Sequence, residues 1–126
     1  MNKEFVSYEQ AVALKELGFN EPCMAIYYSK DKSFSWHHHK DHTNDEPALD
    51  SGEFNISAPT YSAAFRWFRE KHGLVGLVTT FNSKNNFRYA VYAEYIGTED
   101  YKTYEEAEQA CLDKLIEIVR DEDTTR

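Results

Sequence analysis

Three segments of the chain repeat apolar residues at helical spacing, and each begins with a residue that favours a helix start. Ser7 with Gln10, and Thr103 with Glu106, form two capping boxes, and Thr60 opens the middle segment. A glycine followed by an apolar residue ends each of the first two segments, as in helix C-terminal motifs. The pattern predicts three amphipathic helices, each with one face to bury.

Two pairs of shorter apolar or alternating runs separate the helices. Residues 23–37 contain "CMAIYY" and "SFSWH" around a polar turn, and "VGLVTTF" and "FRYAVYAEYI" flank the polar loop "NSKNN". Each pair predicts a β-hairpin. Arg88, Ala90, Tyr92 and Glu94 alternate with apolar residues along the last strand, so we expect this mixed face to be partly exposed.

The segment 38–59 lacks a helical period and is rich in Asp, Asn and His, with Pro47 and Gly52 among its residues. These features predict a long polar loop outside the packed elements. Phe54 and Ile56 alternate with polar neighbours, so a short strand or an anchoring segment is expected to interrupt the loop.

The predicted elements follow the order α-ββ-α-ββ-α. Hairpins pair antiparallel, and helices with one apolar stripe need a sheet to cover. We therefore expect an α+β protein with a single antiparallel sheet of about four strands, covered by three helices mainly on one face. A length of 126 residues fits one domain, residues 1–126, with a frayed tail at 121–126.

Charge and composition narrow the functional classes. The formal net charge is −8, and residues 94–126 hold 11 Asp or Glu against 4 Lys or Arg. An acidic protein is repelled by phosphate backbones and anionic lipids, so nucleic-acid binding and membrane association are disfavoured. The polar N-terminus, the lack of a long apolar run and two cysteines within apolar patterns predict a soluble, cytoplasmic protein.

Three phrases of the sequence resemble a known family. "YEQAVALKELGFNEPC", "APTYSAAFRWFREKHGL" and "YKTYEEAEQACLDKLIEIV" are similar to sequences in a widespread family of small uncharacterised proteins from anaerobic gut bacteria and their phages and prophages. The resemblance covers the three helices and their flanking turns. It implies a phage or mobile-element setting and a cytoplasmic location. It implies no catalytic or ligand-binding residue, because the family has no established function.

Candidate chemistry concentrates in "SWHHHKDHTNDE", residues 35–46, which hold four of the five histidines. His37, His38, His39 and His42 are candidate zinc ligands, because imidazole nitrogen and neighbouring carboxylates suit that ion. Against this, the segment lacks the helical motif "HExxH" and a nearby cysteine, and consecutive histidines on a strand point to opposite faces. A hydrated loop that titrates near neutral pH is the alternative.

Aromatic and basic side chains form a second set of candidates. Protein interfaces are enriched in Tyr, Trp and Arg. The candidate interaction residues on the predicted strands and the middle helix are Trp36, Arg66, Trp67, Arg69, Arg88 and Tyr92. The alternatives are that the rings build the core and that the arginines lie on a solvated helix face with local ion pairs.

The sequence contains no glycine-rich phosphate loop, no nucleophile elbow and no recognisable pairing of cysteine with histidine. No catalytic residue and no cofactor is therefore assigned, with zinc kept as an open alternative. The sequence favours a non-catalytic accessory or regulatory domain that binds a protein partner or a second copy of itself. The alternative is a metal-binding or small-molecule-processing protein that uses residues 37–46.

Overall fold

The structure is a computed structural model that describes residues 3–36, 41–80 and 86–124. Within these ranges the chain forms three helices and two separate three-stranded antiparallel sheets. The chain divides into two compact units, Met1–Thr60 (unit 1) and Tyr61–Arg126 (unit 2), and each unit holds one sheet. The predicted α+β class is confirmed, and the assignment of the whole chain to one domain stays a prediction.

Unit 1 is built on a sheet with the strand order β2-β1-β3. Its elements are α1 (Tyr8–Glu16), β1 (Ala25–Tyr28), β2 (Phe34–Trp36) and β3 (Asn55–Ser57). In the central strand, Tyr27 lies opposite Phe34 of β2 and Ile56 of β3. Ile26 and Leu14 are fully buried, so apolar side chains of β1 and α1 supply the core of this unit.

The ends of α1 follow from local sequence. Ser7 Oγ accepts a hydrogen bond from the Gln10 amide at 3.1 Å, and Gln10 Oε1 accepts one from the Ser7 amide at 3.1 Å. At the other end Gly18 takes a φ of 97°, a conformation that glycine adopts without strain. The Phe19 amide then donates to the Leu14 carbonyl at 2.9 Å. The predicted capping box and glycine stop of the first helix are both present.

Unit 2 is built on a sheet with the strand order β4-β5-β6. Its elements are α2 (Tyr61–His72), β4 (Gly76–Thr80), β5 (Phe87–Val91), β6 (Tyr95–Ile96) and α3 (Tyr104–Thr124). The capping box at α3 is formed, since the Glu106 amide donates to Thr103 Oγ1 at 3.1 Å. α3 continues through residues 121–124, part of the tail predicted to fray. Neither α3 nor any other helix in the described ranges is long and apolar enough to cross a membrane.

Both helices of unit 2 approach its sheet closely at Gly76. A Cβ atom at this position would lie 2.9 Å from Cys111 Sγ and 3.1 Å from Leu115 Cδ1 of α3. It would also lie 3.2 Å from Phe65 Cδ1 of α2. These distances are shorter than ordinary van der Waals contacts, so glycine at this position allows the helices to pack against β4.

The expected single four-stranded sheet is wrong, because each predicted hairpin gains a third strand of its own. β3 arises within the predicted long loop and pairs with β1, which confirms the expected short strand at Ile56, although Phe54 precedes the strand. The run "FRYAVYAEYI" is not one strand, since a turn at residues 92–94 folds β6 back onto β5 and places Val91 opposite Tyr95. The described elements therefore follow the order α-βββ-α-βββ-α.

Candidate functional site

One face of the unit 2 sheet is exposed, and we call it the outer sheet face. It consists of Leu77 and Thr79 of β4, Arg88 and Ala90 of β5 and Ile96 of β6, with Tyr92 in the adjoining turn. Leu77 pairs with Ala90, and Ala90 pairs with Ile96, so one apolar row crosses all three strands. The exposed fractions of Leu77, Tyr92 and Ile96 are 50%, 72% and 82%.

The opposite face of the same sheet is covered by α3. Val91 is fully buried, and the ring of Phe87 lies edge-on to Tyr104 of α3, with 6.1 Å between the ring centroids. Lys114 Nζ of α3 lies 4.3 Å from the ring centroid of Tyr95. Because neighbouring side chains of a strand point to opposite faces, α3 can bury one set and leave the outer sheet face uncovered.

Three tyrosines pack together on the α3 side. The ring of Tyr89 stacks on Tyr95 at 5.7 Å and is tilted against Tyr101 at 6.2 Å. Burial and then the hydrogen bond with Tyr95 raise the pKa of Tyr89. Burial, with a smaller contribution from Glu99, raises the pKa of Tyr101 to about 12. These two phenols therefore stay protonated at neutral pH, which suits packing and hydrogen bonding rather than acid–base chemistry.

The charge of Arg88 on the outer sheet face is compensated by a neighbouring carboxylate. Arg88 Nε donates to Asp100 Oδ1 at 2.6 Å. This hydrogen bond and the arginine charge hold the pKa of Asp100 below its ordinary value. The ion pair gives the apolar row a polar border, an arrangement typical of protein interfaces.

The structure brings two of the six predicted interaction residues together, since Arg88 and Tyr92 both belong to the outer sheet face. Arg66 and Arg69 are exposed on α2. Trp67, which lies between them in sequence, is buried and packs its ring at 5.0 Å from those of Phe68 and His72. Trp67 therefore supports the core and presents no exposed ring. The Arg66 and Arg69 patch stays a prediction.

Trp36, the sixth candidate, belongs to unit 1. Its ring is partly exposed and lies edge-on to Phe5, with 4.9 Å between the centroids. Phe5 also contacts Phe34, and Phe34 contacts Tyr27, so the aromatic side chains of this region pack on one another. Trp36 is thus the exposed end of an aromatic cluster that helps to build unit 1.

Two exposed residues of the outer sheet face, Leu77 and Ile96, were not among the interaction residues predicted from the sequence. Ile96 is an even-numbered residue, as are Arg88, Ala90 and Tyr92, so strict alternation along the run would have placed it on the same face. Leu77 lies in "VGLVTTF", where apolar residues occupy both faces and alternation does not distinguish the exposed one.

The four candidate zinc ligands differ in whether the structure describes them. His37, His38 and His39 lie outside the described residues. Within the ranges that the structure covers, no group of three or more His, Cys, Asp or Glu side chains is placed to hold a metal ion. His42 is described, and its surroundings account for it without an ion. The zinc site at residues 37–42 stays a prediction.

His42 is buried in unit 1, so the expected hydrated loop is wrong at this residue. Its backbone amide and carbonyl exchange hydrogen bonds of 2.8 and 2.9 Å with Cys23. Its Nδ1 lies 2.6 Å from Ser57 Oγ, and its Nε2 lies 3.4 Å from Glu46 Oε2. These contacts join three segments that are distant in sequence, which is why local polarity did not indicate them.

Asn44 fixes the same segment to the rest of unit 1. Its Nδ2 donates to the Phe19 carbonyl at 2.9 Å, and its Oδ1 accepts from the Ser57 amide at 2.9 Å. The Asp45 amide also donates to Asn20 Oδ1 at 2.9 Å. These hydrogen bonds therefore hold the segment against β3 and against the residues that follow α1.

The buried group formed by Cys23, His42 and Ser57 resembles a nucleophile beside a base, but its environment opposes that chemistry. Ser57 has no exposed surface. Burial, followed by the nearby charge of Asp41, raises the pKa of the Cys23 thiol to about 12. A protonated thiol and an enclosed hydroxyl are poor nucleophiles, so the group serves as a polar anchor of unit 1.

Comparison with protein-family models gives no match, and no curated protein or solved structure is significantly similar to the chain. Function must therefore be inferred from the geometry of the outer sheet face and the buried polar anchor.

Proposed function

We propose that the protein is a non-catalytic accessory or regulatory domain that binds another protein through the outer sheet face. The observation that carries this proposal is the apolar row formed by Leu77, Ala90 and Ile96 across β4, β5 and β6, in which Leu77 and Ile96 are exposed. Apolar area in water is unfavourable, and contiguous exposed patches on small domains are typical of interaction sites.

The border of the row supports the same function. Tyr92 and Arg88 are residue types that interfaces favour, and the ion pair with Asp100 supplies a polar edge beside the apolar centre. The alternative of nucleic-acid binding requires a basic surface, whereas the formal net charge is −8. Phosphate contacts thus receive little electrostatic support.

The proposed function includes a cellular and genetic setting. The resemblance to small proteins of gut bacteria and their phages supports an accessory role in a phage or mobile-element context. The two cysteines, Cys23 and Cys111, are buried as free thiols, and a reducing cytoplasm is compatible with that state.

The proposal is tested by quantitative affinity purification from cells that produce the protein naturally. The test variant is Leu77→Thr with Ile96→Thr, because threonine keeps strand propensity and removes apolar area. The matched control is Arg66→Thr with Arg69→Thr, which changes two exposed residues of α2. The wild type is expected to retain a partner that falls at least tenfold with the test variant and less than twofold with the control.

Two results would contradict the proposed function. One is a partner that is retained equally by the wild type and by the Leu77→Thr, Ile96→Thr variant. The other is loss of the partner only in the Arg66→Thr, Arg69→Thr control, which would place the binding surface on α2.

A further inference from the structure

Resting on the proposed function, we infer that β4 accepts an extended segment of the partner as an added strand, and that this segment alternates apolar residues with Lys or Arg. β4 is an edge strand of the unit 2 sheet and spans five residues, Gly76–Thr80. Edge strands expose backbone donors and acceptors, which an incoming chain can pair with.

The hydrogen-bond pattern defines which backbone groups of β5 point to each side. Phe87 exchanges hydrogen bonds of 2.8 Å with Tyr101, and the Tyr89 carbonyl accepts from the Gly97 amide at 3.0 Å, both away from β4. The Tyr92 amide donates to the Val75 carbonyl at 2.9 Å, toward the β4 side. Backbone groups of odd-numbered β5 residues therefore face β6, and those of even-numbered residues face β4.

The register of the β4–β5 pair shows which backbone groups of β4 point into the sheet and which point away from it. Leu77 and Thr79 lie opposite Ala90 and Arg88, so their amide and carbonyl groups point into the sheet. The amide and carbonyl groups of the alternate residues Gly76, Val78 and Thr80 then point out of the edge. An added strand would pair with these groups and would place alternate side chains beside Leu77 on the outer sheet face.

β4 lacks the features that usually protect an edge strand. Its sequence, Gly-Leu-Val-Thr-Thr, contains no charged residue and no proline. The opposite edge differs, because β6 has only two residues, and a very short edge strand offers few backbone groups to an added chain. Of the two edges of this sheet, β4 is therefore the longer and the less protected.

The β4 edge favours an extended segment of a partner as the occupant. The outward-pointing amide and carbonyl groups of alternate β4 residues pair with another extended chain, as in other sites that bind peptides by strand addition. The added strand would lie next to β4, with its apolar side chains beside Leu77, which is 50% exposed. A second copy would carry the same formal net charge of −8, which opposes its association.

The charge of the protein indicates which residues the bound segment should contain. The chain carries 22 Asp and Glu against 14 Lys and Arg, whereas β4 itself is uncharged. The field of the whole protein therefore attracts a cationic segment, and the strand adds no local charge to oppose it. Apolar residues at alternate positions would extend the Leu77 row, and Lys or Arg at the others would supply the positive charge.

The inference is tested by NMR titration of the isotope-labelled full chain with synthetic peptides. The probe is a seven-residue peptide that alternates lysine and valine, compared with one that alternates glutamate and valine. A third peptide is the lysine–valine sequence with alternate amides N-methylated, which removes strand donors and keeps charge and side chains. The lysine–valine peptide is expected to shift the amide signals of β4 residues and to bind at least tenfold more tightly than the other two.

Two protein variants at one position provide matched controls. Thr80→Pro removes an outward-pointing amide at an exposed edge position, where proline is tolerated, and is expected to weaken peptide binding at least tenfold. Thr80→Val keeps the amide and is expected to bind as the wild type does. If Thr80→Pro disturbs folding, the N-methylated peptide tests strand addition on the unmodified protein through the reciprocal hydrogen bonds, in which peptide amides donate to β4 carbonyls.

Several outcomes would overturn strand addition. They are equal binding of all three peptides, absence of binding by the lysine–valine peptide, shifts confined to residues outside β4, and concentration-dependent β4 shifts without peptide. The last would make a second copy the occupant. A natural partner retained by Thr80→Pro but lost with Leu77→Thr and Ile96→Thr would overturn strand addition alone and leave the proposed function standing.

Discussion

His42 Nδ1 lies 2.6 Å from Ser57 Oγ, and both side chains are buried in unit 1. Ser57→Ala would remove this partner from an enclosed imidazole nitrogen. Because a buried polar atom without its hydrogen bond is costly, we expect a loss of about 1–3 kcal/mol in the free energy of unfolding. Urea denaturation of the two proteins measures this difference. Ser51→Ala, at an exposed loop position, is the control and should change stability by less than about 0.5 kcal/mol.

If Ser57→Ala proved as neutral as Ser51→Ala, the polar group would not anchor residues 41–46.

The sequence could not predict this anchor, because the residues that hold His42 lie in distant parts of the chain. His42 is held by Cys23 on one side and by Ser57 on the other, and neither is close to it in sequence. Local polarity predicts a loop at such a position whether or not distant segments enclose it.

Close packing at Gly76 gives a second prediction. Gly76→Ala places a methyl group 2.9 Å from Cys111 Sγ, so we expect a loss of about 1–3 kcal/mol in the free energy of unfolding from overpacking. Cys111→Ala removes that sulfur. The double variant should therefore be less destabilised than the two single changes added together, by about 1 kcal/mol. A double-mutant cycle in urea measures the difference, and strict additivity would contradict the contact.

The turn between β5 and β6 contains a strained residue. Ala93 has a φ of 65°, where a side chain costs about 1 kcal/mol relative to glycine. Ala93→Gly is therefore expected to raise the free energy of unfolding by up to about 1 kcal/mol. Ala90→Gly, in the middle of β5, is the matched control and should lower it by about 0.5–1 kcal/mol. If Ala93→Gly and Ala90→Gly changed the free energy of unfolding equally, in thermal or urea denaturation, the strained conformation of Ala93 in this turn would be contradicted.

The elements that sequence predicted are those fixed by neighbouring residues. Capping boxes such as Ser7 with Gln10 act over three positions, and the β1–β2 and β4–β5 hairpins join consecutive segments. The third strands were different. β3 joins β1 across a long connection, and β6 follows a turn in which Ala93, rather than glycine or asparagine, takes the positive φ. Without a glycine signal, the sequence predicted one continuous strand.

The ion pair of Arg88 and Asp100 predicts a pH dependence. The folded-state pKa of Asp100 is lowered, first by the hydrogen bond from Arg88. The pair therefore stabilises the fold above the carboxyl's ordinary pKa, and this contribution is lost as the pH falls through the lowered value. Arg88→Gln should move the Asp100 midpoint to higher pH in a carboxyl-detected NMR titration. An unchanged midpoint would show that Arg88 does not hold this carboxylate.

Both cysteines should be unreactive in the folded protein. Burial raises the pKa values of Cys23 and Cys111 to about 12, so both thiols stay protonated at pH 8. We expect alkylation at pH 8 at least a hundredfold slower than at a cysteine introduced by Ser51→Cys. Rapid modification of the wild type by a thiol reagent under native conditions would contradict the enclosed thiols, and modification after unfolding is the positive control.

The central claim is that the outer sheet face binds another protein. The most direct measurement places a photo-crosslinking amino acid at residue 96 of the full chain, in cells that produce the protein, with the same group at exposed residue 109 of α3 as the control. A defined adduct is expected from position 96, lost on adding Leu77→Thr, and absent from position 109. No adduct at 96, or the same adduct from both positions, would contradict the account.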